Sequence, residues 1–314
     1  MEGRTGGLRW PQMDHVRQGQ ANVMISGEIF RTVTDQCWNP LQRIEDMERE
    51  GVTQQVLSVM PELFSYWAQP EDALLFCRSM NETISRMVSD HPDKFIGLGI
   101  VPLQNPDLAA KELELVKKAY GLAGVQIGTN VEGIPIGDSR FSPFFEMAEK
   151  LNVAVFVHPI NPPAQDRIVG PKMLNNLIGF PTDIAYAATS MITGLVLEKF
   201  PNLKICFSHG GGSFSTVLPR LTHGWETMPL FHEALPKSPM EYAKKFYFDT
   251  LVYHPKVFAY LRNIFSVNQL IVGSDYPFVI RETPPGKILK GQSNLTDEDF
   301  NQMRRENALR FLFG

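Results

Sequence analysis

The stretch KICFSHGGGSF, residues 204–214, carries a strand pattern and a polar signal side by side. Residues 203–207 are apolar and partly β-branched, which is typical of a strand buried on both faces of a parallel sheet. His209 follows where that strand should end, and the three glycines after it allow unusual backbone dihedrals and a close ligand approach. Taken alone, the stretch is equally typical of a glycine-rich turn with an incidental histidine.

The same pattern occurs at two other places in the chain. Residues 153–158 read VAVFVH, and residues 270–275 read LIVGSD. Three apolar strands thus each deliver a histidine or an aspartate near the carboxyl end, which is where active sites lie in parallel α/β barrels. We therefore expect His158, His209 and Asp275 to meet at one end of a barrel.

Strand and helix patterns alternate from residue 40 onward, which favours a parallel sheet covered by helices. Eight helices but only seven strands are found, because no strand precedes the first helix, Pro40 to Glu50. Residues 1–39 are expected to form an irregular excursion with a short hairpin, Val23 to Val33, that turns at Ser26-Gly27. The sequence predicts an α/β fold: one (β/α)8 TIM barrel domain over residues 1–314 that lacks its first strand. The predicted strands are 54–60, 95–101, 123–128, 153–158, 203–208, 246–250 and 269–274, and the other helices are 70–91, 106–120, 142–151, 182–200, 214–225, 255–265 and 296–312.

Composition restricts the class of partner and the compartment. The chain is 43% hydrophobic and has a net charge of −4, so we expect a globular protein without a nucleic-acid partner. Its three cysteines form neither a CxxC motif nor a disulfide framework, which favours a reducing compartment and predicts a cytoplasmic protein. The sequence has no apolar run of membrane-spanning length and no signal-peptide pattern, so we expect no membrane partner.

The residue types at the strand ends suit a metal-dependent site. Histidine nitrogen and aspartate oxygen are ligands of Zn²⁺ and similar divalent ions, but a catalytic zinc normally has three protein ligands. If His209 is reserved for proton transfer, only His158 and Asp275 remain. Each of these residues alone could equally be a hydrogen-bonded core side chain or a loop cap. Arg31 and Arg220 lie among apolar residues, where a guanidinium often binds a carboxylate, although an ordinary surface position is an equal alternative.

Ten motifs, which cover nearly the whole chain in order, resemble those of the amidohydrolase-related, metal-dependent decarboxylases. The resemblance implies a (β/α)8 barrel, one divalent metal ion that is usually zinc, no organic cofactor, and a homodimer. It also implies that His158 and Asp275 ligate the metal and that His209 is the acid/base. Arg31 and Arg220 would hold substrate carboxylates, with Arg220 reaching into the neighbouring subunit's site. The motifs are IFRTV (29–33), CWNP (37–40), RIEDMEREGV (43–52), FSYWAQPED (64–72), VPLQNPDLA (101–109), AGVQIGT (123–129), FVHP (156–159), KICFSHGGGSF (204–214), GSDYPF (273–278) and ENALRFL (306–312).

The sequence departs from the family pattern at three places. The family's first strand carries an HxH pair that supplies two metal ligands, and this sequence contains no HxH. HPINP, residues 158–162, stands where the family has HPWDM, and residues 23–28 lack the family's lysine. Because one missing strand explains both the strand count and the HxH, we expect about 20 to 30 further residues, encoded upstream of Met1, to contain it. The chain as given is then expected to bind metal weakly.

The leading functional hypothesis is metal-dependent, non-oxidative decarboxylation of a small unsaturated or aromatic carboxylic acid. One alternative is hydrolysis or hydration by the same metal-bound hydroxide, because one barrel supports many chemistries. A second alternative is a catalytically impaired homologue that only binds a carboxylate ligand, which the missing HxH favours.

Overall fold

Seven parallel strands form one sheet at the centre of the computed structural model, which describes residues 6–171, 173–292 and 294–314. A three-stranded antiparallel sheet precedes it in the chain, and a two-stranded ribbon follows its third strand. In chain order the strands are β1 (Gln12–Arg17), β2 (Gln20–Ile25), β3 (Glu28–Thr34), β4 (Gln55–Leu57), β5 (Phe95–Gly99), β6 (Gly124–Gly128), β7 (Asn130–Val131), β8 (Ile134–Pro135), β9 (Ala154–His158), β10 (Lys204–Phe207), β11 (Tyr247–Asp249) and β12 (Leu270–Ile271).

Helices cover the outer face of the central sheet, and the first of them illustrates how the sequence sets their ends. Pro40 occupies the first turn, Asn39 Oδ1 accepts hydrogen bonds from the backbone N–H groups of Leu41 and Gln42, and Gly51 ends the helix at φ 73°. The α-helices are α1 (Pro40–Glu50), α2 (Pro70–Asp90), α3 (Pro106–Lys118), α4 (Ser142–Lys150), α5 (Phe180–Thr193), α6 (Val196–Lys199), α7 (Phe214–Thr227), α8 (Pro229–Ala234), α9 (Pro239–Ala243), α10 (Pro255–Ile264), α11 (Asp297–Asn301) and α12 (Asn307–Phe313).

The central sheet runs in the order β4-β5-β6-β9-β10-β11-β12, with every neighbouring pair parallel. Sequential strands joined by helices give the expected αβ alternation. Within the described part of the chain, β4 and β12 are edge strands that do not pair with each other. The prediction of seven parallel strands is therefore confirmed, and the sheet is an open half-barrel rather than a closed barrel.

The two faces of the central sheet have different partners. On the outer face, Val155, Val157 and Ile205 are fully buried in one cluster with the helices. On the inner face, the alternate residues Phe156 and Cys206 belong to a smaller apolar cluster that α12 covers. Above that cluster, residues of the inner face line a cavity.

The amino-terminal region is more regular than predicted. Strands β1 to β3 form an antiparallel sheet, so the expectation of an irregular excursion over residues 1–39 is wrong for residues 12–34, whereas residues 1–5 lie outside the described chain. The hairpin between β2 and β3 is confirmed. Ser26 and Gly27 have φ values of 56° and 79°, as a tight hairpin turn of this kind requires. Strand β1 has no apolar alternation because all six of its residues are exposed, which is why its sequence gave no strand signal.

Three other elements differ from their predicted bounds. The helix predicted over 182–200 is divided into α5 and α6, where Leu195 takes φ 57°. The excursion after α7 contains the short helices α8 and α9. The last strand is only two residues long, so Asp275 lies in a loop four residues beyond it. No helix in the described ranges is both long and apolar enough to span a membrane.

Candidate active site

A cavity of about 1000 Å³ occupies the inner face of the half-barrel. It extends from the carboxyl ends of the strands, where it is lined by His158, His209 and Asp275, to the terminal helix at Arg304 and Leu309. Residues of both edge strands also line it, so the cavity includes the opening between β4 and β12. The predicted meeting of the three strand-end residues is thus observed, at the end of the sheet where barrel active sites lie.

The two histidines face each other directly. His158 is the last residue of β9 and His209 follows β10, its neighbour in the sheet. Their Nε2 atoms are 3.3 Å apart and their ring centroids are 5.1 Å apart. This distance allows one ring nitrogen to donate a hydrogen bond to the other.

The tautomer of His158 follows from its other nitrogen. Nδ1 lies 2.9 Å from the carbonyl oxygen of Pro159, and a carbonyl can only accept, so Nδ1 carries the hydrogen. The lone pair is therefore on Nε2, which faces the cavity. Burial, reinforced by the neighbouring His209, lowers the pKa of His158 to about 3, so the ring is neutral at physiological pH. A neutral imidazole whose free nitrogen faces a cavity is the form that ligates metal ions.

The backbone around His209 is held by a buried aspartate at the end of β11. Asp249 accepts hydrogen bonds from the N–H groups of His209 at 2.8 Å, Gly210 at 2.7 Å and Leu251 at 2.9 Å. His209 itself takes φ 51°, a strained conformation for a residue with a side chain. Sequence reasoning missed Asp249, although it obeys the strand-end rule that found the other three residues. The available signal was its position in the segment YFDT, residues 247–250, at the end of a predicted strand.

Asp275 lies in the loop after β12 and also has a strained backbone, with φ 61°. Burial raises the pKa of its carboxyl group, while the nearby His209 opposes that rise. The next residue anchors the loop, because the Tyr276 hydroxyl donates to Asp46 Oδ2 on α1 at 2.7 Å. The guanidinium of Arg43 lies 5.0 Å from the Tyr276 ring. The loop that presents Asp275 is thus attached to the opposite edge of the half-barrel.

Arg31 reaches the site from β3 of the amino-terminal sheet. Its guanidinium lies 4.9 Å from the ring of Phe278, which lines the cavity. Its charge adds to the effect of burial in lowering the pKa of His158, and it opposes the burial-driven rise in the pKa of Asp275. Arg31 Nη2 donates to Glu62 Oε1 at 2.6 Å. Sequence reasoning missed Glu62, because no motif around it indicates a contact with Arg31, which lies 31 residues away in the sequence.

Arg220 is not brought to this site within one chain. It lies on α7 with an exposed side chain and does not line the cavity. Its predicted role in a neighbouring subunit's site stays a prediction.

The donor atoms for a metal ion fit in type but are too few. His158 Nε2 and the Asp275 carboxylate are suitable ligands that line one cavity. Across the described ranges, however, no group of three or more histidine, cysteine, aspartate or glutamate side chains is gathered as a metal site.

The match to known families agrees with this arrangement. The amidohydrolase family profile matches residues 10–314, and the chain belongs to that family.

The similarity extends to particular decarboxylases. The chain is 39% identical over 305 residues to the 2-amino-3-carboxymuconate-6-semialdehyde decarboxylase of Dictyostelium discoideum, an alignment that covers 96% of this chain and 84% of that protein. Its fold resembles that of 5-carboxyvanillate decarboxylase from Sphingomonas paucimobilis, with a TM-score of 0.78, 24% identity and coverage of 86% and 82% of the two chains. It also resembles a dihydroxybenzoic acid decarboxylase from Polaromonas, crystallised with manganese and 2-nitroresorcinol, with a TM-score of 0.75, 22% identity and coverage of 86% and 85%. The resemblance inferred from the motifs is confirmed.

Proposed function

We propose that this protein decarboxylates 2-amino-3-carboxymuconate 6-semialdehyde or a similar small unsaturated or aromatic carboxylic acid, without oxidation. The observation that carries the proposal is the pair of facing histidines, His209 and His158, in a cavity to which Arg31 supplies positive charge. A proton donor, a metal-ligand nitrogen and a cation for carboxylate thus lie together. The similarity to a curated decarboxylase over nearly the whole chain supports the same reaction.

The cofactor in this proposal is one divalent metal ion, Zn²⁺ or Mn²⁺, and no organic cofactor. His158 Nε2 and Asp275 would hold it. A bound divalent ion supplies Lewis-acid stabilisation of negative charge and lowers the pKa of bound water from 15.7 toward about 7. The hydrogen bond from Nδ1 to Pro159 fixes the tautomer of His158, so the lone pair on Nε2 is directed at the cavity and is available to a metal ion.

His209 is the proton-transfer group. As the imidazolium, its Nε2–H donates a proton to the carbon that bears the leaving carboxylate. The bond from that carbon to the carboxylate then breaks, CO₂ departs, and the bonding electrons re-form the double bond. His209 regains its proton from water. Asp249 holds the backbone of His209 in place, which matters because a positioned acid of this kind contributes roughly 10² to 10⁴ in rate.

The arginines bind the substrate's charge. Arg31 would hold a carboxylate of the substrate from its own chain, and Arg220 would complete the neighbouring subunit's site in a homodimer. The exposed position of Arg220 on α7 leaves it accessible to a second subunit. Free Cys37, Cys77 and Cys206 support a cytoplasmic location.

A second candidate is a catalytically impaired homologue that binds a carboxylate. It is favoured by the gathering of only two metal donors among the residues that the structure describes. A metal-dependent hydrolase or hydratase of the same family is the remaining alternative.

One experiment separates these functions. The purified chain is titrated with Zn²⁺ or Mn²⁺ and assayed with 2-amino-3-carboxymuconate 6-semialdehyde, following both the ultraviolet absorbance of the substrate and the release of CO₂. The proposal predicts metal-dependent loss of absorbance with one CO₂ for each substrate consumed. Consumption without CO₂ would indicate hydrolysis or hydration, and metal binding without any consumption would indicate the impaired homologue.

A further inference from the structure

Glu62 places a second, partly buried carboxylate beside the arginine assigned to the substrate. It lies in the turn after β4, between Pro61 and Leu63, which both line the cavity. The side chains of Arg31 and Glu62 are only 24% and 13% exposed, and the Nη2–Oε1 distance is 2.6 Å. Solvent therefore screens this ion pair weakly.

The ion pair of Arg31 and Glu62 leaves one carboxylate oxygen in an unfavourable environment. Glu62 Oε2 is buried and has no hydrogen-bond partner among the residues of the described ranges. A buried carboxylate oxygen without a donor is unfavourable, and burial raises the pKa of Glu62 accordingly. The charge of Arg31 opposes that rise in the pKa of Glu62.

Arg31 is restrained on three sides. The Phe30 ring lies 5.1 Å and the Phe278 ring 4.9 Å from the guanidinium carbon, and Glu62 engages Nη2. A guanidinium has five N–H donors, and the described part of the chain shows no hydrogen bond from Nε or Nη1. Glu62 thus occupies Nη2 of Arg31, whereas Nε and Nη1 make no hydrogen bond to the residues that the structure describes.

We propose that Glu62 is a specificity-determining residue that weakens and orients the grip of Arg31 on the substrate's carboxylate. A ligand carboxylate on the free edge of Arg31 faces the charge of Glu62 across one guanidinium. The site therefore binds carboxylates less tightly than an unpaired arginine would, and it binds them on one edge only. This inference rests on the proposed function, because that function assigns Arg31 to a substrate carboxylate.

The magnitude follows from Coulomb's law. Two like charges about 6 Å apart at an effective dielectric constant of about 20 repel enough to change a dissociation constant roughly ten- to a hundredfold. Glu62→Gln removes the charge but keeps an amide oxygen that can accept from Nη2. Its Kd for a carboxylate should fall by that factor, with KM following Kd.

The test compares a charged probe with a neutral one of the same shape. Benzoate and benzamide are titrated by calorimetry into the full-length wild-type chain, Glu62→Gln and Arg31→Ala, at matched metal content and at a pH well above the pKa of an ordinary carboxyl group. We expect Glu62→Gln to bind benzoate at least tenfold more tightly and benzamide unchanged. Arg31→Ala should bind benzoate more weakly.

The outcomes distinguish the role of Glu62 from the substrate-binding role of Arg31. Equal changes for benzoate and benzamide in Glu62→Gln, or weaker benzoate binding, would overturn the role of Glu62 and leave it as a structural anchor. Unchanged benzoate binding in Arg31→Ala would instead show that Arg31 has no substrate role. If Glu62→Gln does not fold, Glu62→Asp is used instead. Its side chain is one methylene shorter, so the negative charge lies farther from Arg31. Its benzoate binding should then tighten by a smaller factor, and no change in benzoate binding would refute the inference.

Discussion

The substitution Asp249→Asn examines how the position of His209 is enforced. Asp249 Oδ2 accepts from His209, and Oδ1 accepts from both Gly210 and Leu251. In the variant, the amide orientation that preserves Oδ1 keeps two bonds, but it directs an NH₂ group at the N–H of His209. That pair of donors cannot bond, so the backbone at His209 must move.

The cost can be worked from these three bonds. One charge-assisted bond worth about 1.5–3 kcal/mol is lost, and two others weaken from charged to neutral acceptors by about 1 kcal/mol each. The free energy of unfolding should therefore fall by about 3.5–5 kcal/mol. Since a displacement of about 1 Å can cost a hundredfold in rate, kcat should fall roughly 10- to 100-fold, with KM changing little.

Urea denaturation and steady-state kinetics measure the two effects. Asp138→Asn is a matched control, because Asp138 also accepts from a backbone N–H, that of Arg140, but is only partly buried and lies outside the cavity lining. It should change the stability by less than about 1 kcal/mol and leave kcat unchanged. An Asp249→Asn variant that loses stability but retains the wild-type kcat would refute the claim that this aspartate positions the catalytic histidine.

Two further predictions concern the pH dependence of stability and the composition of the dimer. Burial raises the pKa of Asp183 to about 6, above its ordinary value of 3.8, so between these values the folded state binds more protons than the unfolded state. Stability should therefore decrease as pH rises through this window, by about 2 kcal/mol relative to Asp183→Asn, and parallel pH profiles of the two proteins in urea denaturation would contradict this. Inactive His209→Ala and Arg220→Ala subunits, mixed under exchange conditions, should regain partial activity because hybrid dimers contain one intact composite site. Failure to recover after confirmed exchange would remove Arg220 from the partner's site.

Local patterns were enough to predict the parts of the site that lie at strand ends. His158, His209 and Asp275 each follow an apolar run, and the rule that parallel strands present their carboxyl ends together needs no knowledge of long-range contacts. The count of strands against helices likewise predicted the open sheet, because each βα unit is recognisable by its own periodicity. The same local rule could have found Asp249.

The remaining features depend on contacts between distant segments. Glu62 becomes notable only when β3 brings Arg31 to the turn after β4. The amino-terminal sheet was missed at β1, because an exposed strand carries no apolar alternation. The last strand was predicted too long, since an apolar sequence does not show where the loop to Asp275 begins.

The most direct test of the proton-transfer role is the comparison of His209→Ala with the wild-type chain, using 2-amino-3-carboxymuconate 6-semialdehyde and metal analysis of the same samples. His91→Ala is the control, because His91 lies where α2 leads into β5, at the opposite end of the sheet. His209→Ala should retain the wild-type metal content and lose at least about 10²-fold in turnover, whereas His91→Ala should retain both. Loss of metal in His209→Ala, or turnover close to that of the wild type, would contradict the assignment of His209 to proton transfer.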